Sequence, residues 1–201
     1  MNKSLELGLP PLSDSGIFGD DVSLQESSLA IVHVPWEATA SYGSGASKSL
    51  DAIVSASHQL DLEDPCFGQP YKKGICIQPE SGAILNYNEK ASDLVKQIRL
   101  LRSKGLTESE ELVNHVNRYS NLVNSSVYEK SKSLLDQGKQ VAVLGGDHSS
   151  PFGLIKALGE KYDDFGMLHV DAHFDLRKSY EGFSFSHASI MRNVVDHIPQ
   201  V

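Results

Sequence analysis

Two stretches decide the reading of this chain: Gln140-Val141-Ala142-Val143-Leu144-Gly145-Gly146-Asp147-His148, and Phe165-Gly166-Met167-Leu168-His169-Val170-Asp171-Ala172-His173-Phe174-Asp175. Each begins as a nearly continuous apolar run, as a strand buried on both faces requires. Each ends in acids and histidines. Working outward, Leu29-Ala30-Ile31-Val32-His33-Val34 predicts an earlier strand, and Ile75-Cys76-Ile77 a short one before Pro79. The intervening segments carry apolar residues at helical spacing. One helix is predicted over Ser47 to Leu60 and another over Glu89 to Arg102. A third starts at Thr107, with Glu110 as capping-box partner, and runs to Leu135 before Gly138. A fourth begins near Pro151, and a last one runs from His187 to before Pro199. Strands alternating with helices predict a three-layer α/β/α fold with a mostly parallel sheet. Residues 1–27, punctuated by Pro10-Pro11 and several glycines, read as an irregular arm before the domain at 28–201.

In parallel sheets ligands bind outside the carboxyl ends of the strands. Residues two apart on an extended segment point to the same side, so Asp171, His173 and Asp175 can converge. His148 leaves the end of another strand after two glycines that permit a sharp turn. If the two strands are neighbours, two imidazoles and two carboxylates face one pocket. Like charges a few ångströms apart repel, and a divalent cation removes that cost. Mixed N/O donors without thiolates suit Mn, Fe, Co, Ni or Zn. Two ions roughly 3.5–4 Å apart would lower the pKa of a trapped water toward ~7. Either motif alone is weak; both at successive strand ends favour a metal site.

Other residues give less. His187 is a proton-shuttle candidate, because histidine titrates near neutrality. His169 lies inside the predicted strand and reads as structural. His33, His58, His115 and His197 have no acidic partner at ligand spacing. Gly43 and Gly45 are not followed by G-K-[ST] and read as a turn, and Glu37 reads as a surface residue.

Composition sets outer limits. The 201 residues carry a formal net charge of −8 and are 40% hydrophobic. That balance fits a globular protein and excludes a general nucleic-acid binder. Cys66 and Cys76 form neither a disulfide framework nor a C-x-x-C motif. No stretch approaches the ~18 apolar residues of a membrane span, and Met1 to Gly16 has no signal-peptide core. A cytoplasmic protein is expected, with no membrane and no nucleic acid among its partners.

The motifs Gly145-Gly146-Asp147-His148-Ser149 and Asp171-Ala172-His173-Phe174-Asp175, with Ser186-His187 and the Gly43-to-Ser57 segment, resemble the ureohydrolases: arginase, agmatinase, guanidinobutyrase and formiminoglutamase. The resemblance covers most of the chain from Ser28 onward. It implies two divalent ions, Mn²⁺ by preference, with His148, Asp171 and Asp175 on one ion and Asp171 and His173 on the other. It implies that His187 relays protons, that a guanidino compound is the substrate, and that urea and an amine are released. It also implies a homo-oligomer, commonly a trimer or hexamer in full-length members. Where arginase places an asparagine near the amino-acid end of its substrate, this chain has Arg177. Arginine binds carboxylates bidentately, so a guanidino acid is expected.

The family's later Ser-x-Asp-x-Asp strand end, with two more metal carboxylates, and its guanidinium-gripping glutamate do not occur in these 201 residues. The chain is therefore expected to be the N-terminal part of a ureohydrolase, inactive by itself. A formiminoglutamase-like hydrolase and a non-catalytic metal-binding or assembly subunit are the alternatives. Binuclear metallophosphoesterases place Asp-x-His first and need a Gly-Asn-His. Zinc deacetylases share the fold but use a mononuclear site.

Overall fold

The computed structural model describes residues 15–79, 82–107 and 110–201. Its centre is a parallel sheet of β1 (Leu29–Val34), β2 (Ile75–Gln78) and β3 (Gln140–Gly145), in the order β2-β1-β3. Leu29 pairs with Ile75 on one side and with Gln140 on the other, so the three strands start level. The predicted α/β class and parallel pairing are what the chain adopts.

The pleat of β1 sorts its side chains. Ala30, Val32 and Val34 are buried with Trp36, Ala91, Val123, Val127 and Leu134 in the main core. Trp36 lies just past the end of β1, and the last four of these lie on two long helices, α2 (Gly82–Ser103) and α3 (Glu110–Asp136). His33 points to the other face, where it feels Asp51 on helix α1 (Ser49–Ser57). Helices therefore cover both faces. Burial of each such aliphatic side chain contributes about 1.5–3 kcal/mol.

Helix α3 keeps Val116, Val123, Val127 and Leu134 on one buried stripe. It ends at Gly138, whose φ is +77°. Lys139 N–H donates to the Leu134 carbonyl at 3.1 Å and Gly138 N–H to the Leu135 carbonyl at 3.0 Å, which is the Schellman closure expected of a glycine there. The chain then enters β3 directly. The capping-box expectation at Thr107 spans Glu108 and Ser109, which lie outside the described residues, as does the first half of the predicted arm, residues 1–14. Helix α2 begins seven residues before the predicted Glu89. Its first turns carry Asn and Tyr beside Ile84, a pattern too polar to read as a helical stripe.

After β3 come α4 (Phe152–Lys161) and, near the end, α5 (Ile190–His197). They share a second core of Phe152, Ile155, Ile190, Val194 and Ile198. One sequence expectation needs correction. Phe165–Val170 is not a ladder-paired strand. It keeps strand-like alternation, with Phe165, Met167 and His169 half-buried and Leu168 and Val170 exposed. Apolar alternation specifies an extended backbone, but a strand also needs a neighbour's backbone groups. Phe165 N–H donates to the Gln200 carbonyl instead.

Candidate metal centre

The site is built at the carboxyl end of β3. Gly146 turns the chain there with φ +46°. A side chain at this position would put its Cβ 2.0 Å from the Trp36 carbonyl oxygen and 2.7 Å from that of Val34. Only glycine fits, and the close approach lets Asp147 N–H donate to the Trp36 carbonyl at 2.7 Å. Asp147 then turns inward and His148 outward.

Asp147 is a buried carboxylate with a full set of donors. Thr39 Oγ1–H donates to its Oδ2 at 2.6 Å and Thr39 N–H at 3.2 Å. Ser149 N–H donates to Oδ1 at 3.0 Å, and the Ser149 hydroxyl does so as well. Burial pushes the Asp147 carboxyl up, against the pull of these hydrogen bonds. Its oxygens are committed to Thr39 and Ser149, so it braces the turn.

His148 faces the metal motif. Its Nδ1 lies 2.7 Å from Asp175 Oδ2 and 3.2 Å from Asp171 Oδ2. The His169 ring stands 5.2 Å from the His148 ring. Ligand atoms of His148, His169, Asp171 and Asp175 all lie within 4.8 Å of one another. Of the four metal residues expected from the sequence, His148, Asp171 and Asp175 come together. His173 stays mostly exposed, with its Nδ1 3.4 Å from Asp171 Oδ1. His169 is the residue the sequence reading set aside. It shares the two-residue period of Asp171, His173 and Asp175, which is the signal that places it on the same side.

Electrostatics favour a cation here. The His173 backbone N–H donates to Asp171 Oδ1 at 2.8 Å and holds that carboxyl below its usual range, with smaller help from His148, His169 and His173. Asp175 sits at φ +48°, a left-handed conformation that Asp tolerates better than most residues and that recurs at functional sites. His169 Nε2 is buried with no hydrogen-bond partner among the described residues. An orphaned imidazole nitrogen beside two adjacent carboxylates is a donor set that fits a divalent ion such as Mn²⁺ or Zn²⁺.

His187 opens the turn His187–Ser189 before α5. Its Nδ1 lies 2.8 Å from the Thr39 carbonyl oxygen, and its backbone N–H donates to Thr39 Oγ1 at 3.2 Å. Its Nε2 lies 3.4 Å from Ser41 Oγ. The Tyr180 ring meets its edge at 5.4 Å, and the Arg177 guanidinium lies 5.5 Å above the same Tyr180 ring. Arg177, Tyr180 and His187 thus form one row. The row is anchored by Arg99, whose guanidinium grips Glu181 at 2.6 Å and donates to the Ala40 carbonyl at 3.0 Å. Glu37, read from sequence as a surface residue, accepts from Gly45 N–H and Ser47 N–H and closes the Gly/Ser loop.

An N(1)-aminopropylagmatine ureohydrolase from Thermus thermophilus is 30% identical over 174 residues, covering 86% of this chain and 49% of its own. An agmatinase from Bacillus anthracis is 44% identical over 72 residues, 36% of this chain and 25% of its own. Among solved structures, a putative agmatinase from Clostridium difficile superposes with a TM-score of 0.60 at 22% identity, over 88% of this chain and 52% of that one. An arginase from Medicago truncatula gives 0.58 at 21% identity, over 86% and 48%. These two structures establish the fold. The chain spans about half the length of the relatives it matches. The Arginase family model matches residues 27–200, a span that contains β1 to β3 and the residues from His148 to His187. The chain belongs to the Arginase family.

Proposed function

We propose that this chain is the metal-holding part of a ureohydrolase that cleaves a guanidino C–N bond and releases urea and an amine. The observation that carries the proposal is the approach of His148, Asp171 and Asp175 at the carboxyl end of β3. Membership of a family that includes agmatinases and an aminopropylagmatine ureohydrolase supports the substrate class. His148, Asp171 and Asp175 hold one divalent ion, and Asp171 with His173 serves a second. Mn²⁺ is the proposed metal.

A bound divalent ion supplies Lewis acidity and, by lowering the pKa of water toward ~7, a nucleophile able to attack a guanidinium carbon. The chain's own residues do the rest. Asp171 and Asp175 concentrate negative charge where a cationic guanidinium must arrive. His187 takes up a proton at the Nε2 lone pair and passes it on to the departing amine. Arg177, parked on Tyr180, binds a distal carboxylate, so guanidino acids are favoured over agmatine.

Urea release tests this reading. Residues 1–201 loaded with Mn²⁺ are expected to give none, because the ligand set here serves only half of a two-ion centre. Joined to the C-terminal half of the Thermus relative, they are expected to release urea from guanidino substrates. Arg177→Ala in that chimera raises KM for a guanidino acid and leaves KM for agmatine unchanged. Urea from residues 1–201 alone overturns the half-centre reading. Failure of Mn²⁺ to bind at all overturns the hydrolase reading.

A further inference from the structure

We infer that Thr39 is a positioning residue that sets the tautomer and aim of His187, using the buried Asp147 as its anchor. The inference rests on the shuttle role proposed above for what the tautomer is used for, but not for whether Thr39 sets it.

Two groups of Thr39, its carbonyl and its hydroxyl, make three contacts. Its carbonyl oxygen lies 2.8 Å from His187 Nδ1. A carbonyl can only accept, so Nδ1 carries the hydrogen and Nε2 is left as the outward nitrogen with the lone pair. Its Oγ1 accepts from the His187 backbone N–H at 3.2 Å, which fixes where the imidazole's own backbone stands. The same Oγ1 donates to Asp147 Oδ2 at 2.6 Å. A hydroxyl has one hydrogen, and here it is spent on the carboxylate, so the lone pairs of Oγ1 are turned toward His187 N–H. Asp147 thereby determines the direction of the Thr39 hydroxyl. Asp147 has no freedom to relinquish it, because its other oxygen is occupied by Ser149 N–H and the Ser149 hydroxyl. Thr39 is fully buried and Asp147 is buried as well, so water does not compete for the bond between them.

The consequence is a linkage across the sheet end. Asp147 is the neighbour of His148 in the chain, and Thr39 follows β1. A single side chain therefore ties the strand end that carries His148 to the turn that carries His187, although 148 residues separate Thr39 from His187. A free histidine in water favours the opposite tautomer, with the hydrogen on Nε2. The arrangement around Thr39 reverses that preference and presents a lone pair at Nε2, beside Ser41.

The test reads the tautomer directly and needs neither metal nor turnover. Residues 1–201 are labelled with ¹⁵N-histidine, and the long-range ¹H–¹⁵N correlation spectrum is recorded above the titration range of histidine. His187 is assigned from the spectrum of His187→Gln. The wild-type chain is expected to show His187 with its hydrogen on Nδ1. Thr39→Ser, which keeps the hydroxyl, retains that pattern. Thr39→Val, which keeps the shape but loses Oγ1, shifts His187 to a mixture or to the Nε2–H form. An Nε2–H tautomer in the wild-type chain overturns the proposal, as does a folded Thr39→Val whose His187 signals match the wild type. If Thr39→Val does not fold, the wild-type tautomer and a through-hydrogen-bond coupling between His187 Nδ1 and the Thr39 carbonyl carbon decide the matter. A chain that releases no urea leaves all of these readings intact, so failure of the hydrolase reading is separable from failure of this one.

Discussion

Nδ1 of His148 and Oδ2 of Asp175 stand 2.7 Å apart, although the two residues are 27 positions apart in the chain. Asp171 Oδ2 joins the same nitrogen at 3.2 Å. Two carboxylates held around one imidazole nitrogen repel each other, and a shared cation removes that cost. A ligand that binds only the folded chain stabilises it by RT ln(1 + [L]/Kd), about 2.7 kcal/mol at a hundredfold excess over Kd. Thermal unfolding of residues 1–201 with increasing Mn²⁺ is expected to show a rising Tm. In Asp175→Asn the rise is expected to need at least a tenfold higher concentration.

Gly146 and Gly138 separate two costs of replacing a left-handed glycine. At Gly138 nothing lies within 4 Å of an added Cβ, so Gly138→Ala costs only the backbone strain, about 1–2 kcal/mol. At Gly146 the Cβ would meet the Trp36 and Val34 carbonyl oxygens, so β1 and β3 must part. Gly146→Ala is expected to cost more than about 4 kcal/mol, in the range reserved for overpacked cores and strained backbone. Urea denaturation of the two variants checks the order; equal losses would contradict it.

Much of this was legible in the sequence because the strand motifs are local. The apolar runs of β1 and β3, the glycine stop of α3 and the acid–histidine strand ends each follow from neighbouring residues. The role of Asp147 was not legible. Its partner Thr39 lies 108 residues away, and nothing in Gly-Gly-Asp-His says which of the two polar residues turns inward. His169 reads as structural from its place in an apolar run, and the structure sets its ring beside His148, Asp171 and Asp175, in register with Asp171. The missing strand at Phe165–Val170 follows from the same limit: the pattern specifies the extended backbone but not the partner that completes a ladder.

Leu168, Val170 and Phe174 are each more than four-fifths exposed. They contribute little to the stability of this chain, and exposed apolar side chains of this size favour association where they lie together. Leu168→Gln with Val170→Thr and Phe174→Gln is expected to change the unfolding free energy by no more than about 0.5 kcal/mol per site. Light scattering at high concentration is expected to show less self-association. A large loss of stability would mean that these side chains are buried in solution.

Tyr128 and Glu160 link α3 to α4 through a 2.7 Å hydrogen bond from the phenol to the carboxylate. That bond pushes the phenol up to about 12. A group raised on folding stabilises fully below its unfolded value, about 10 for tyrosine, and the contribution is lost as pH rises through the folded value. Tyr128→Phe is therefore expected to be destabilising at pH 8, with the deficit shrinking between pH 10 and 12. A deficit that stays constant across that range would show that the hydrogen bond is not made.

The most direct test of the metal centre is Mn²⁺ binding to metal-stripped residues 1–201, followed by the electron paramagnetic resonance signal of free Mn²⁺. Asp171 touches both His148 and His173, so Asp171→Asn removes the one carboxylate that both proposed ions would share. The wild-type chain is expected to bind Mn²⁺ saturably, and Asp171→Asn, folded as judged by circular dichroism, to lose that binding. Equal Mn²⁺ binding by the two, or none by the wild type, would contradict the assignment of this cluster as the metal site.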